Sequence, residues 1–190
     1  MQNSFRIIAG DLRGRKFSFP EIEGLRPTSG KIRETLFNWL QFNIINKTTL
    51  DPFAGSGALS LEALSRGAKE VYVIEKDRKV YEKLESNFKL LDRGHYTIIN
   101  KDAMIYLATP SKRPFDLVFL DPPFKKNLLL ETIEKLSNNH YINSQSQIYI
   151  ESEYKITEDN LNSLTNNHFK INKQKKSANV HYCLISLEAL

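Results

Sequence analysis

The chain has 190 residues, of which 41% are hydrophobic, and a formal net charge of +5 at pH 7. This length and hydrophobic content are enough for one substantial core, so we expect a single domain over residues 1–190. The longest apolar stretches, such as 117–120, fall far short of the roughly 20 residues that span a bilayer, and residues 1–6 lack the apolar core of a signal peptide. We therefore expect a cytoplasmic protein without a membrane partner. We also expect a monomer.

Positive charge is concentrated near the two ends of the chain. Residues 1–33 hold seven lysines and arginines against three acidic residues, and residues 170–176 hold four lysines and no acidic residue. Segments of this kind bind polyanions such as nucleic acid, or are ordinary solvated surface, and charge alone leaves both interpretations open.

The first 27 residues are predicted to form an extension in front of the main fold. Between Arg6 and Pro20 two short apolar runs flank a polar turn that contains glycine, which is typical of a β-hairpin. A helix is predicted next, capped by Thr28 or Ser29. Its apolar stripe, at helical spacing, consists of Ile32, Leu36, Trp39 and Leu40.

Residues 28–190 are predicted to form the core of an α/β fold, in which short apolar strands alternate with helices. The strands are predicted at 48–53, 70–75, 96–100, 115–120 and 147–153, and the helices at 58–66, 79–91, 103–107 and 128–136. Such alternation gives a mainly parallel sheet with helices on both faces. Two further strands, 170–173 and 180–187, are predicted to be antiparallel and joined by a loop of lysines, which makes seven strands in all.

Ligands of such sheets bind at the carboxyl ends of the strands. The first strand runs into Asp51-Pro52-Phe53-Ala54-Gly55-Ser56-Gly57, where two glycines allow a sharp bend close to a ligand, a purely structural turn being the alternative. The second ends at Glu75, whose carboxylate can accept both hydroxyls of an unphosphorylated ribose. The third ends before Asp102, which can accept from an adenine amino group or cap a helix. Together these ends favour an adenosine-type ligand.

The fourth strand end, Asp121-Pro122-Pro123-Phe124, is the most specific feature of the sequence. Two consecutive prolines hold Pro122 extended, so that its carbonyl and the Asp121 carboxylate face one way. Both are acceptors suited to an amino group with two N–H donors, and Phe124 offers a flat face on which a nucleobase stacks. An exocyclic amine held in this way directs its lone pair at an electrophilic methyl group. We expect Asp121, Pro122 and Phe124 to be the catalytic residues.

With these motifs the chain resembles the class I Rossmann-like methyltransferases, and among them the RsmD-type guanine-N2 methyltransferases of bacterial 16S rRNA. The similar segments are Arg26-Pro27-Thr28 with Arg33-Glu34-Thr35-Leu36-Phe37-Asn38-Trp39-Leu40, then 50–68 with Leu61-Glu62-Ala63-Leu64-Ser65-Arg66-Gly67-Ala68, and 121–124. The resemblance implies S-adenosylmethionine as cofactor, S-adenosylhomocysteine as product and methylation of one guanine. It also implies a partner, either ribosomal RNA or the assembling small ribosomal subunit.

The resemblance further implies roles for individual residues. The cofactor is expected to contact Asp51, Phe53, Ala54, Gly55, Gly57, Glu75, Lys76, Asp102 and Ala103. RNA is expected to contact Arg6, Arg13, Arg15, Lys16, Arg26 and Arg33. The four histidines have no metal-ligand spacing, so no metal is expected. Ser60, where relatives often have glycine, is a departure that we expect to leave the chemistry untouched.

Two alternative functions use the same features. DNA adenine-N6 methyltransferases share the motif 121–124, but sequence-specific DNA enzymes usually need an added recognition domain, for which 190 residues leave little room. A nicotinamide-dependent oxidoreductase, or a protein that only binds an adenosine cofactor, would leave that motif unexplained.

Overall fold

The structure is a computed structural model that describes residues 3–91, 95–123, 128–163 and 168–188. In chain order its elements are β1 (Ser4–Arg6), β2 (Lys16–Ser18), α1 (Gly30–Trp39), β3 (Thr48–Asp51), α2 (Ala58–Ser65), β4 (Glu70–Glu75), α3 (Arg78–Phe88), β5 (His95–Asn100), α4 (Ala103–Leu107), β6 (Leu117–Leu120), α5 (Leu128–Asn138), β7 (Gln147–Ser152), α6 (Glu158–Asn162), β8 (Phe169–Ser177) and β9 (Val180–Leu187).

The strands form two sheets, a two-stranded sheet of β1 and β2 and a seven-stranded sheet in the order β5-β4-β3-β6-β7-β9-β8. The pairs β3–β4, β4–β5 and β6–β7 are parallel, whereas β9 is antiparallel to both β7 and β8. The predicted N-terminal hairpin and the mainly parallel seven-stranded sheet with an antiparallel C-terminal strand are therefore confirmed. The chain divides into two compact units, Met1–Ala103 and Met104–Leu190, so the single domain expected over 1–190 stays a prediction.

In the first unit, local sequence explains where each helix begins. Helix α1 begins at Gly30 because the Ser29 side chain accepts the Ile32 N–H at 3.3 Å, so Ser29 rather than Thr28 is the cap. Helix α3 is capped in the same way by Asp77. Its apolar side consists of the buried residues Val80, Leu84 and Phe88. Strand β3 is buried along its whole length, as expected of a strand covered on both faces.

The N-terminal hairpin is fixed to helix α2 through the buried carboxylate of Glu62. This carboxylate accepts the N–H groups of Ile8 at 2.9 Å and Ala9 at 3.1 Å. It also accepts Arg66 Nε at 2.8 Å and Arg33 Nη1 at 3.4 Å. Glu62 is completely buried, and four donors offset the cost of removing its charge from water.

Close backbone contact strengthens this attachment one turn further along α2. Asp11 donates its N–H to the Ser65 carbonyl at 2.8 Å, and Leu12 donates to Ser65 Oγ at 2.9 Å. At Gly10, where φ is +82°, a Cβ would lie 1.8 Å from the Ser65 carbonyl oxygen, so no other residue fits without moving the hairpin. The extension therefore packs directly on α2.

In the second unit, the fully buried β6 pairs with β7, and β9 and β8 complete this part of the sheet. The lysines predicted to form a loop lie instead within β8, which corrects that prediction. Strand β8 is at the sheet edge, where charged side chains discourage pairing with another chain. The short helix α6, capped by Thr157, was not predicted. Within the described ranges, no helix is long and apolar enough to cross a membrane.

Removing the Glu62 carboxylate should destabilise the protein strongly. We expect Glu62→Ala to lower the free energy of unfolding by about 3–5 kcal/mol, because it leaves buried guanidinium and backbone N–H groups without their acceptor. Denaturant unfolding followed by circular dichroism measures this change.

Glu82→Ala is the matched control. Glu82 forms an ion pair with Arg78 at 2.8 Å, with the same i,i+4 spacing as the pair of Glu62 and Arg66. The side chains of Arg78 and Glu82 are both exposed. The loss of Glu82 should leave the free energy of unfolding almost unchanged. Equal effects of the two substitutions would contradict the structural role of Glu62.

Candidate active site

Glu75, the last residue of β4, is held by two backbone donors. Its Oε2 accepts the Gly55 N–H at 3.0 Å and its Oε1 accepts the Asp77 N–H at 2.7 Å. Partial burial raises the pKa of Glu75 above its ordinary value, and these hydrogen bonds oppose the shift. Because a carboxylate oxygen has two lone pairs, each oxygen retains capacity for a further donor such as a ribose hydroxyl.

The turn between β3 and α2 brings the backbone close to Glu75. Ala54 donates its N–H to the Ile74 carbonyl at 3.1 Å, and Gly57 donates to the Ala54 carbonyl at 2.8 Å. At Gly57 φ is +75°, and a Cβ there would lie 2.5 Å from Leu84 Cδ2. The positive φ favours glycine, and any other residue would also have to displace the Leu84 side chain. Ala54 and Gly57 are buried, and Phe53 is half-buried.

Asp51, at the carboxyl end of β3, is 3% exposed and accepts the Ser60 hydroxyl at 2.7 Å. Ser60 is fully buried, and its hydroxyl bonds a residue of the predicted cofactor set. The expectation that Ser60 leaves the chemistry untouched stays a prediction, and this hydrogen bond to Asp51 is the contact through which Ser60 could affect it. The sequence could not show the contact, because it depends on how α2 packs on β3.

Asn100 is a functional candidate that the sequence reasoning missed. It ends β5 and pairs in register with Glu75, and its Nδ2 donates to the carbonyls of Glu75 at 2.8 Å and Lys76 at 3.1 Å. Asn100 thus fixes the backbone on which both predicted cofactor residues stand. The rule that strand ends carry the site would have found it, had it been applied one residue before Lys101.

The other residues predicted at these strand ends lie in the first unit as well. Lys76 is exposed, Asp102 is half-buried, and Ala103 is buried at the start of α4. The structure thus places eight of the predicted cofactor residues around or beside the ends of β3, β4 and β5. These are Asp51, Phe53, Ala54, Gly55, Gly57, Glu75, Lys76 and Asp102.

In the second unit, the motif after β6 lies beside a buried polar pair. Asp121 is half-buried, Pro122 is buried, and Phe124 lies outside the described residues. Tyr149 is fully buried and donates its hydroxyl to Glu151 Oε1 at 2.9 Å. Burial raises the pKa of Tyr149 well above its usual value, and the charges of Glu151 and Asp121 raise it further, so the hydroxyl stays protonated.

Tyr149 and Glu151 were also missed by the sequence reasoning. Leu120 of β6 pairs with Ile150 of β7, so Asp121 and Glu151 each follow a paired residue at the same end of these parallel strands. The predicted strand 147–153 extends past Glu151, so the strand-end rule would not have identified it; the register with β6 does.

Of the residues predicted to contact RNA, four are exposed: Arg6, Arg13, Lys16 and Arg26. Arg15 is half-buried, with its Nη2 donating to the Leu90 carbonyl at 2.8 Å. Arg33 is 4% exposed, and its guanidinium donates to the Thr28 and Arg6 carbonyls and to Glu62. The prediction that Arg33 contacts RNA is therefore corrected: it is an internal cation whose pKa is lowered by burial, an effect that Glu62 opposes.

Among the residues that the structure describes, no group of three or more histidine, cysteine, aspartate or glutamate side chains is placed to hold a metal ion.

The sheet order and the strand-end carboxylates define a class I Rossmann-like methyltransferase fold. The family model described as conserved hypothetical protein 95 matches residues 5–186, and the chain belongs to this family. The resemblance to RsmD-type methyltransferases is confirmed by ribosomal RNA small subunit methyltransferase D of Escherichia coli K12. That relative is 44% identical over 184 residues, which is 97% of this chain and 90% of the relative.

Solved structures agree with the fold. The structure of yhhF from Escherichia coli has a TM-score of 0.87 and 42% identity, and the similarity covers 99% of this chain and 100% of that one. The 16S rRNA N2 G1207 methyltransferase RsmC of Thermus thermophilus, solved with AdoMet and guanosine, has a TM-score of 0.73. At 19% identity over 100% of this chain and 50% of that one, it shows the shared fold alone.

Proposed function

We propose that the protein transfers a methyl group from S-adenosylmethionine to the exocyclic N2 amine of one guanine in small-subunit ribosomal RNA. The observation that carries the proposal is the near full-length similarity to a ribosomal RNA small subunit methyltransferase. RsmC, which shares the fold, was solved with AdoMet and guanosine, which correspond to the cofactor and base of this proposal. The strand-end groups have the chemistry that this reaction requires.

The first unit provides residues that fit the cofactor. We assign the ribose hydroxyls to Glu75, the adenine amino group to Asp102 and the methionine part to the turn 53–57, with Asp51, Lys76 and Ala103 beside them. Glu75 suits two hydroxyls because two backbone donors orient its carboxylate and leave lone pairs free. A phosphate there would be repelled, which disfavours NADP. When bound, S-adenosylmethionine supplies an electrophilic methyl group on sulfur.

Asp121, Pro122 and Phe124 hold the target base in this proposal. The Asp121 carboxylate and the Pro122 carbonyl accept the two N–H bonds of the guanine amine, and Phe124 stacks on the base. An aromatic amine is a poor nucleophile because its lone pair is delocalised into the ring. Two acceptors orient that lone pair, so catalysis comes from positioning rather than from a strong base.

RNA contact is assigned to basic residues of the first unit, four of them exposed and one, Arg15, half-buried. Glu62 and Ser65 fix the N-terminal hairpin to α2. The basic residues of this hairpin and of the segment after it are Arg6, Arg13, Arg15, Lys16 and Arg26. A fixed basic surface attracts phosphates without the entropic cost of ordering a free arm. In this proposal a monomer acts in the cytoplasm on ribosomal RNA or the assembling small subunit.

The assignment is tested by transfer of labelled methyl from S-adenosylmethionine to small ribosomal subunits, naked small-subunit rRNA and DNA from cells that lack the protein. Nucleoside analysis should show N2-methylguanosine in the ribosomal material alone. N6-methyladenine in DNA would establish the alternative DNA enzyme, and cofactor binding with no transfer to any of the three would favour a binding protein.

The role of Glu75 predicts that cofactor affinity depends on pH. Because burial raises its pKa above 4.5, the carboxylate protonates at a higher pH than an ordinary glutamate, and its acceptor capacity is lost as pH falls through that raised value. Calorimetry should show the Kd for S-adenosylmethionine rising as pH falls. Glu75→Gln should weaken binding at pH 7 by about 1–3 kcal/mol.

In Glu75→Gln the Kd should no longer depend on pH over this range, whereas Glu82→Gln, an exposed change on α3, should behave as wild type. A pH response of equal size in wild type and Glu75→Gln would show that Glu75 does not bind the cofactor.

Asp121→Ala should separate cofactor binding from turnover. We expect its Kd for S-adenosylmethionine to match wild type, because Asp121 is assigned to the base. Its kcat should fall by a factor of about 10²–10³, as when one preorganised polar group is removed from a reacting centre. Single-turnover methyl transfer measures the loss, and wild-type turnover would refute the assignment.

A further inference from the structure

Strand β8 presents a row of lysines at the edge of the second unit. Lys170, Lys173, Lys175 and Lys176 are all exposed, and β8 itself contains no acidic residue. Lys170 forms an ion pair with Glu188, with 4.0 Å between Lys170 Nζ and Glu188 Oε1. In the part of the chain that the structure describes, the other three lysines form no ion pair. We call Lys173, Lys175 and Lys176 the β8 lysines.

Strand register places these lysines relative to the base-binding motif. Across β7, β9 and β8, Glu151 pairs with Tyr182, which pairs with Lys175. Ile150, which precedes Glu151 in β7, pairs with Leu120, the last residue of β6. Asp121 follows Leu120 directly in the sequence. Lys175 therefore lies in line with Asp121, at the same end of the sheet. Three strand spacings separate β6 from β8, which is about 14 Å.

The acids that contact β8 are at its other end. Glu158 Oε1 accepts the Ile171 N–H at 2.8 Å, and Glu188 pairs with Lys170. The positive charge thus becomes less compensated along β8 in the direction of the Asp121 end. The strand then turns back through Ala178 and Asn179, with Ala178 at a φ of +51°, which is rare for alanine. This two-residue turn keeps Lys175 and Lys176 at the very end of the sheet.

We propose that the β8 lysines bind RNA phosphates on the strand that carries the target guanine, as a second RNA contact besides the N-terminal hairpin. The proposal rests on the proposed function and deepens it. A base taken out of its stack for modification leaves its neighbouring phosphates within reach of the surface around the site. Cations about 14 Å from Asp121 are suited to those phosphates rather than to the base itself.

Edge lysines also keep sheet edges from pairing, and the experiment separates this role from RNA binding. The probe is unmodified small-subunit rRNA, titrated at several salt concentrations. Lys175→Gln/Lys176→Gln should reduce the slope of log Kd against log salt by about 1.4, or about 0.7 for each lost contact with a single strand. Its KM for RNA should rise, while kcat and the Kd for S-adenosylmethionine stay as in wild type.

Two control variants are used: one changes another lysine of β8, and the other keeps the positive charge at 175 and 176. Lys170→Gln removes an equally exposed lysine that is paired with Glu188, and should keep the wild-type slope. Lys175→Arg/Lys176→Arg preserves the charge and should keep it as well.

If wild type methylates the RNA and the double glutamine variant has the wild-type slope and KM, the second contact is refuted while the proposed function stands. If the double glutamine variant self-associates but keeps the wild-type slope of log Kd against log salt, the second RNA contact is refuted as well. If wild type neither binds nor methylates the RNA, the proposed function fails together with this inference.

Discussion

The buried carboxylate of Glu62 is the interaction on which the first unit depends. It accepts hydrogen bonds from the backbone of the hairpin at Ile8 and Ala9 and from the guanidinium groups of Arg33 and Arg66. An unpaired charge in this position would be costly, so Glu62 couples the stability of the hairpin, α1 and α2. Two of the three segments that resemble RsmD-type enzymes extend over Arg33 and Glu62, and neither of these two residues is assigned to the proposed reaction. They build the support for the basic extension.

Glu62 and Glu75 show how environment separates a structural carboxylate from one that can bind a ligand. Glu62 is completely buried and has four donors, which leaves it no access to a solute. Glu75 is half-buried, has one backbone donor on each oxygen, and stands at the end of a parallel strand, where ligands of such sheets bind. Asn100 and the Gly57 turn fix the backbone on either side of it. The same chemical group thus has a structural role at Glu62 and, in the proposed function, a ligand-binding role at Glu75.

Sequence patterns predicted the strands and most helices to within a few residues, because buried strands and amphipathic helices have distinct apolar periods. They also led to the proposed roles of Glu75 and Asp121, because both residues follow directly from where strands end. Arg33 was misassigned because its partner is 29 residues away, and a count of charges cannot reveal a buried ion pair. The lysines were assigned to a loop because an edge strand, solvated along its side, lacks the apolar alternation of a central one. The Ser60–Asp51 contact depends on how α2 packs on β3, which one sequence does not display.

The central claim is that this chain methylates the N2 amine of one guanine in small-subunit rRNA by means of the groups at these strand ends. The most direct measurement is mass-spectrometric mapping of small-subunit rRNA from cells with and without the gene, and from cells complemented with wild type or with Asp121→Ala. The account predicts that one N2-methylguanosine disappears with the gene, returns with wild type and stays absent with Asp121→Ala. An rRNA methylation pattern that is identical in all four strains would contradict it.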